Sequence, residues 1–394
     1  MDCPEAKGSE AAVACPSNDA LEEILSRLHD KPLCRFKCVS KAWCSLIVDL
    51  LRRGKCIQTL KLLGFFYGSG GENYGLFTDL PGCSAPPADR SFSFLTQQIG
   101  IKYVFLLDSC NGLLLFGHRE DPDAAVDSLG YIVCNPTTEQ WVAVPSSGWP
   151  GGSEAFEHDS SCTFLIFDPD ASSEFKLLQL WHFMGDAGVR TYSSESGVWS
   201  CRASEWRYSA IRYSAGSAFV NGMLHFVVPC INNDKDQIVV IDAEGKTRKI
   251  IQMPENSGFL AFVGLSHGHL HCIKSHMREM TELSIWVLED YDTGEWVLKH
   301  TVSTLELFGR TSCELDFHFT VVAIHPDRNL VFFLQRGNQK LISYDMDRRE
   351  VCALCAPGDN NMDERVLRTL GDSYRSITPY VPYFSKSLAL ARKN

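Results

Sequence analysis

YIVCNPTTEQWVAV, residues 131–144, carries the pattern that decides the fold of most of this chain. An apolar run rich in β-branched and aromatic residues meets Asn135, a polar turn follows, and a second run opens near Trp141. The same order recurs as FLIFDPDASSEFKLLQL (164–180), VVIDAEGKTRKII (239–251), IWVLEDYDTGEWVLKH (285–300) and LISYDMDRREVCAL (341–354). A weaker copy is TYSSESGVWSC (191–201). The turn residues fall at Asn135, Asp168, Glu195, Asp242, Asp292 and Asp345, several of them spaced by about 50 residues and the early ones by fewer.

A second element precedes most copies: NGLLLF (111–116), NGMLHF (221–226), HGHLHC (267–272) and RNLVFF (328–333). Gly or Asn at such a turn supplies the positive φ of a tight hairpin. Together the two elements predict a three- to four-stranded antiparallel sheet. One such sheet cannot bury both faces alone, so the repeat implies sheets stacked radially, as in a kelch-like β-propeller. The repeats lack the Gly-Gly pairs of standard kelch, and their spacing leaves the number of blades open. RSITPYVPYFSKSL (375–388) is expected to add a strand to an early blade and close the ring. Residues 68–92, 117–130 and 145–161 are rich in Gly, Pro, Ser or Asp and read as projecting loops, where binding usually resides; Trp149 and Phe156 are candidate contacts there or covers for a blade edge.

Towards the N-terminus the period changes. PSNDALEEILSRLHDKPLCRFKCVSKAWCSLIVDL (16–50) reads as three short helices. Asp19 is placed to cap the first, with Glu22 in capping-box position and Leu21, Ile24, Leu25 and Leu28 on one stripe. Pro32 suits the first turn of a second helix bearing Leu33, Phe36 and Val39. Ser40 can cap a third, bearing Trp43, Leu46, Ile47 and Leu50. So small a unit cannot bury all that apolar surface by itself and needs a further surface to pack on.

Pro16, Asp19, Leu21, Glu23-Ile24-Leu25, Arg27-Leu28, Lys31, Leu33, Arg35-Phe36, Cys38-Val39-Ser40-Lys41, Trp43 and Leu46-Ile47 resemble the F-box, the motif that docks on the Skp adaptor of SCF-type ubiquitin ligases. Cys15 departs from the Leu usual before Pro16, and His29-Asp30 from a common Pro. The body resembles the F-box-associated domain of plant F-box proteins, through Cys110–Phe116, Cys134–Thr138 with Trp141 and Pro145, Tyr192–Gly197 with Trp199, and Tyr380–Tyr383. The expected fold class is therefore α+β multidomain, a small three-helix F-box followed by an all-β, kelch-like propeller. The expected boundaries are a disordered tail over 1–15, the F-box over 16–56 and the propeller over 57–390.

The resemblance implies a substrate receptor. Pro16, Leu21, Ile24, Leu25, Leu28, Leu33, Val39, Trp43, Leu46 and Ile47 would dock the Skp adaptor, and through it cullin and RING subunits. The propeller would bind a target protein of unspecified identity. Catalysis would be by proximity, with no catalytic residue, cofactor or metal in this chain. Two other readings stand beside it: a propeller binding protein outside any ligase, with the helices as a structural cap, and a propeller enzyme.

Charge and composition agree with a protein partner. Residues 16–56 hold eight Lys/Arg against five Asp/Glu, a balance of +3, which leaves −14 of the net −11 to the rest of the chain. An acidic body repels phosphate backbones and argues against nucleic acid. Lys31, Arg35, Lys37 and Lys41 are placed to steer an acidic partner. No apolar stretch reaches the roughly 18 residues of a membrane span. The N-terminus lacks the basic and apolar regions of a secretory signal, and the 16 cysteines are scattered, which points to buried thiols in the cytoplasm or nucleus.

Three chemical motifs need weighing. Gly264-Leu265-Ser266-His267-Gly268 matches G-x-S-x-G, yet strand patterns flank it on both sides where a nucleophile elbow needs a helix after it. His267, His269 and His271, with Cys272 or His276, alternate along one predicted strand, a spacing ill-suited to a closed metal site. Cys352-x-x-Cys355 has no second pair to complete a zinc site.

Overall fold

A computed structural model describes residues 17–28, 33, 36, 39–52, 62–69, 73–80, 92–96, 104–118, 130–148, 160–183, 186–203, 215–230, 235–253, 259–275, 281–311, 318–335, 340–355 and 377–383. The chain divides into two compact units, Met1–Thr59 and Leu60–Asn394. The tail expected over 1–15 lies outside the described residues, as does most of the expected middle helix of the first unit.

In the first unit, α1 spans Asn18–Ser26 and α2 spans Lys41–Arg52. The cap of α1 is Ser17, whose hydroxyl accepts from the Ala20 amide at 3.3 Å, so Asp19, expected as the cap, sits two residues further on, inside the first turn. There its carboxylate still favours the positive end of the helix dipole. Ser40 caps α2 as expected, accepting from the Trp43 amide at 3.2 Å.

The second unit is a β-propeller of six blades among the described residues. Blade 1 combines β1 (Gly64–Ser69) and β2 (Asn73–Asp79) with the last strand, β23 (Ile377–Tyr380). A short helix, α3 (Ser93–Thr96), precedes blade 2. Blade 2 holds β3 (Val104–Cys110), β4 (Leu113–His118), β5 (Gly130–Asn135) and β6 (Gln140–Val144). Blade 3 holds β7 (Ser160–Phe167), β8 (Phe175–Phe183), β9 (Asp186–Ser193) and β10 (Val198–Ala203). Blade 4 holds β11 (Ser217–Val220), β12 (Met223–Cys230), β13 (Lys235–Asp242) and β14 (Thr247–Gln252). Blade 5 holds β15 (Phe259–Ser266), β16 (His269–Ser275), β17 (Glu282–Asp290) and β18 (Glu295–Ser303), followed by α4 (Thr304–Phe308). Blade 6 holds β19 (Phe319–Ile324), β20 (Leu330–Gln335), β21 (Lys340–Asp345) and β22 (Glu350–Cys355). Each of blades 2–6 is an antiparallel meander in chain order, and its first strand faces its neighbours: β3 packs on β7, β11 on β15, and β15 on β19. Packing between blades builds the core. One cluster joins Leu113, Leu115, Tyr131 and Val133 of blade 2 to Leu165, Phe167, Phe175 and Leu177 of blade 3.

The expected closure of the ring by the C-terminal segment is observed: β23 pairs antiparallel with β1, Gly64 opposite Tyr380 and Tyr67 opposite Ile377. One stretch read as loop differs. Asn73–Asp79 is a strand whose Phe77, Thr78 and Leu76 pair with β1, its alternation having been hidden by flanking glycines.

The repeated turn is a device for satisfying backbone amides. Asn135 Oδ1 accepts from the Thr137 amide at 2.9 Å, and Asp345 Oδ1 from the amides of Asp347 and Arg348 at 2.9 and 3.1 Å. Asp242 does the same for Glu244 and Lys246 and takes a 2.6 Å bond from Arg248 Nε. Burial pushes the Asp242 pKa up, but these donors outweigh it and hold the carboxyl below its ordinary value. In blade 5 the acceptor is Asp290, which bonds the amides of Asp292 and Thr293, so the turn residue sits two places before the Asp292 expected. In blade 3 Ser193 holds the corresponding place and Glu195 is exposed in mid-turn. The Asp168 copy belongs to the β7–β8 turn and not to the last hairpin of its blade, which explains the short early spacings.

Tryptophan staples successive blades. Trp199 on β10 donates its indole N–H to Pro145 O at 2.9 Å, and Trp296 on β18 donates to Gln252 O at 3.1 Å, each reaching the end of the preceding blade's outer strand. Trp141 on β6 packs on the cluster shared by blades 1 and 2. Trp199→Phe keeps an aromatic ring, though a smaller one, and leaves the Pro145 carbonyl without this donor, so it is expected to lower stability by about 1 kcal/mol or more in urea unfolding.

Candidate adaptor-docking surface and the polar sites of the ring

The first unit sorts its own apolar residues. Leu25, Leu33, Ile47 and Leu50 form its buried core, with Leu28, Phe36, Trp43 and Leu46 partly buried around them. Phe36 and Trp43 meet with ring centroids 5.4 Å apart. Among the described residues of this unit, the large apolar side chains that face outward are Ile24, 54% exposed, and Val39, 59% exposed. Leu21 is half-buried three residues before Ile24 on α1, and the exposed Arg27–Glu23 ion pair runs along the same helix. Of the ten residues expected to dock the adaptor, then, Leu25, Leu33 and Ile47 lie inside the module, Leu21, Leu28, Trp43 and Leu46 lie at its rim, and Ile24 and Val39 face outward. Pro16 lies outside the described residues. The F-box resemblance puts all ten on one list, because neither a motif match nor an apolar stripe says which side chains meet the module's own core.

In the propeller the three motifs resolve into structure. Ser266 ends β15, and His267-Gly268 form the hairpin turn to β16 with φ of +49° and +74°. The Ser266 hydroxyl is buried and donates to His325 O at 2.7 Å, so it ties blade 5 to blade 6. Cys110 does the same between blades 2 and 3, its thiol 3.4 Å from Phe167 O, with Asn111 Nδ2 at 2.7 Å from the same carbonyl. Burial pushes the Cys110 thiol up to about 12, with Asp108 adding to the effect, and burial also raises Cys134 and Cys272. Cys352 lies on β22 in mid-strand, without the helix N-terminus that activates a redox thiol. His267 and His269 are exposed while His271 is buried with Nδ1 on His269 O at 2.9 Å. Among the described residues no three His, Cys, Asp or Glu side chains converge as a metal site.

Two further histidines join blades through their rings, and a third closes a turn. His225 Nε2 meets the Tyr291 hydroxyl at 2.9 Å and His300 Nε2 meets the Tyr344 hydroxyl at 2.9 Å, the latter hydroxyl also bonded to Glu306. His325 Nδ1 accepts from the Asp327 amide at 3.0 Å, which requires that nitrogen unprotonated. Burial, with Arg328 and His267 adding to it, lowers the His325 pKa to about 4; burial also lowers His225 and His300. A histidine depressed in the folded state is protonated first in the unfolded chain. Stability is therefore complete above the ordinary pKa of about 6.5 and falls as pH drops from there to about 4. Urea midpoints across that range should decline, and His325→Asn, which keeps an acceptor for the Asp327 amide, should flatten the decline.

The F-box domain model matches residues 17–53. The model described as F-box protein At3g26010-like, beta-propeller, matches residues 77–386. The fold and its helical unit thus define an F-box protein with a β-propeller. More particularly, the chain belongs to the At3g26010-like β-propeller family of F-box proteins, whose model spans most of its length. Its relatives in Arabidopsis thaliana include F-box protein At5g07610, 25% identical over 75% of this chain and 72% of the relative. Putative F-box/kelch-repeat protein At1g15680 is 24% identical over 91% of this chain and 88% of its own length. F-box protein At3g26010 is 22% identical over 87% of this chain and 80% of its own length.

Proposed function

We infer that this chain is the substrate-recognition subunit of an SCF-type E3 ubiquitin ligase. The F-box binds a Skp adaptor, which links it to cullin and RING subunits, and the kelch-like propeller binds the target protein. The observation that carries the reading is a helical unit with an F-box match whose core is already filled, yet which leaves Ile24 and Val39 outward. Outward aliphatic side chains on so small a module are what a partner would cover. The relatives' names support the same class. The chain itself forms no covalent intermediate; it raises the effective concentration of the target's lysines at the charged conjugating enzyme. It works in the cytoplasm or nucleus, where such a complex assembles.

Co-purification with a plant Skp adaptor at moderate salt tests this. The full chain should retain the adaptor, and the double variant Ile24→Asp/Val39→Asp should lose it with an unchanged circular dichroism spectrum. A full chain that is folded and never retains the adaptor would leave the helices as a cap.

A further inference from the structure

The seat of β23 is built like a peptide-binding site. β23 is four residues long, and Pro379 in its middle has no N–H to give to the ladder with β1. Side chains supply the rest of its attachment. The Tyr380 ring is fully buried, 4.9 Å from Phe66 and 6.1 Å from Phe77 by centroids, and its hydroxyl lies 2.8 Å from Thr137 Oγ1 of blade 2. Ser109 Oγ donates to Pro379 O at 2.5 Å. Three residues on, Tyr383 stands edge-on to Phe167 of blade 3 at 5.2 Å, and Tyr383 O accepts from Asn135 Nδ2 at 2.8 Å. The Tyr383 backbone lies on Gly112, where a Cβ would come within 2.5 Å of the Tyr383 nitrogen.

These groups resemble the partners of a linear motif more than the packing of a core strand. Two aromatic anchors stand three residues apart, and two prolines, Pro379 and Pro382, stiffen the free segment into an extended chain before it docks. Stiffening of this kind lowers the ordering cost of binding, and aromatic anchors in pockets carry most of its energy. The receiving groups on β1, β3, the β5–β6 turn and the end of β7 belong to elements held by their own ladders.

We propose that residues 377–383 are a detachable clasp, and that the seat they occupy is a recognition site for an extended, proline-stiffened peptide with tyrosines at positions i and i+3. In the intact chain the connection from Cys355 keeps the clasp at high effective concentration, so the seat is filled from within.

Competition by a labelled peptide, Ile-Thr-Pro-Tyr-Val-Pro-Tyr, tests the proposal on the full chain. Tyr383→Ala removes one anchor of the resident clasp without touching the seat. That variant should capture the peptide, read by fluorescence polarisation, at least about tenfold better than the wild type. A peptide carrying alanine in place of Tyr380 should not be captured. Hydrogen exchange should show faster opening at 64–67 and 377–380 in the variant than across blades 3–5. No capture by the variant, or equal capture of the two peptides, would overturn the proposal. So would exchange at 64–67 that stays as slow as in blades 3–5.

Discussion

Replacing Leu25 with Asp is expected to unfold the helical unit and leave the propeller standing. Leu25 is 1% exposed and touches the core made by Leu33, Ile47 and Leu50. The change removes packing worth about 3–5 kcal/mol and adds a carboxylate with no partner in that core. A module so small holds less stability than that. Adaptor binding should vanish together with part of the helical circular dichroism, while the main melting transition of the propeller stays in place. Ile24→Asp is the instructive companion, because Ile24 is more than half exposed. It should abolish binding with the helical signal intact. Normal adaptor binding by a Leu25→Asp chain would show that this core does not hold the docking surface together.

The second large effect belongs to Gly64. It is buried where β1 meets β2, and a Cβ there would stand 2.0 Å from the Thr78 carbonyl oxygen and 2.7 Å from the Phe77 ring. The obstacle is backbone, which cannot swing aside, so Gly64→Val must part the β1–β2 ladder. The expected loss is about 3 kcal/mol or more, read as a lowered urea midpoint. Gly222→Ala gives the contrast. Gly222 has φ of +72° but nothing within 4 Å of an added Cβ, so only the left-handed strain of about 1 kcal/mol applies. A Gly64→Val chain that unfolds at the wild-type midpoint would contradict the observed pairing of blade 1.

The propeller was legible because its repeat is written in strong local signals. Asn111-Gly112, Asn221-Gly222 and His267-Gly268 all take positive φ at both positions, as the hairpin reading required. The phase of the repeat was harder to read. Asp290 and Asp292 are both acidic, and only the direction of the side chain separates the amide acceptor from its neighbour. Long-range ties left no local trace: a serine whose hydroxyl meets a carbonyl 59 positions on, or a tryptophan whose indole reaches back to another blade, looks like any other residue in its strand. The docking stripe was legible as a stripe, while its division into core, rim and outward residues depends on the angle between helices, which composition does not encode.

The clasp also sets a timetable for biosynthesis. Gly64–Tyr67 emerge early, yet their partners, Ile377–Tyr380, follow about 300 residues later. At about 5–20 residues per second the inner edge of blade 1 waits some tens of seconds on the ribosome for its mate. Phe65 and Phe66, fully buried in the finished ring, stand beside an open strand edge for that interval. The edge of blade 1 therefore stays open until residues 377–383 have left the exit tunnel, and a message that stops short of Ile377 would yield a ring without its closing strand.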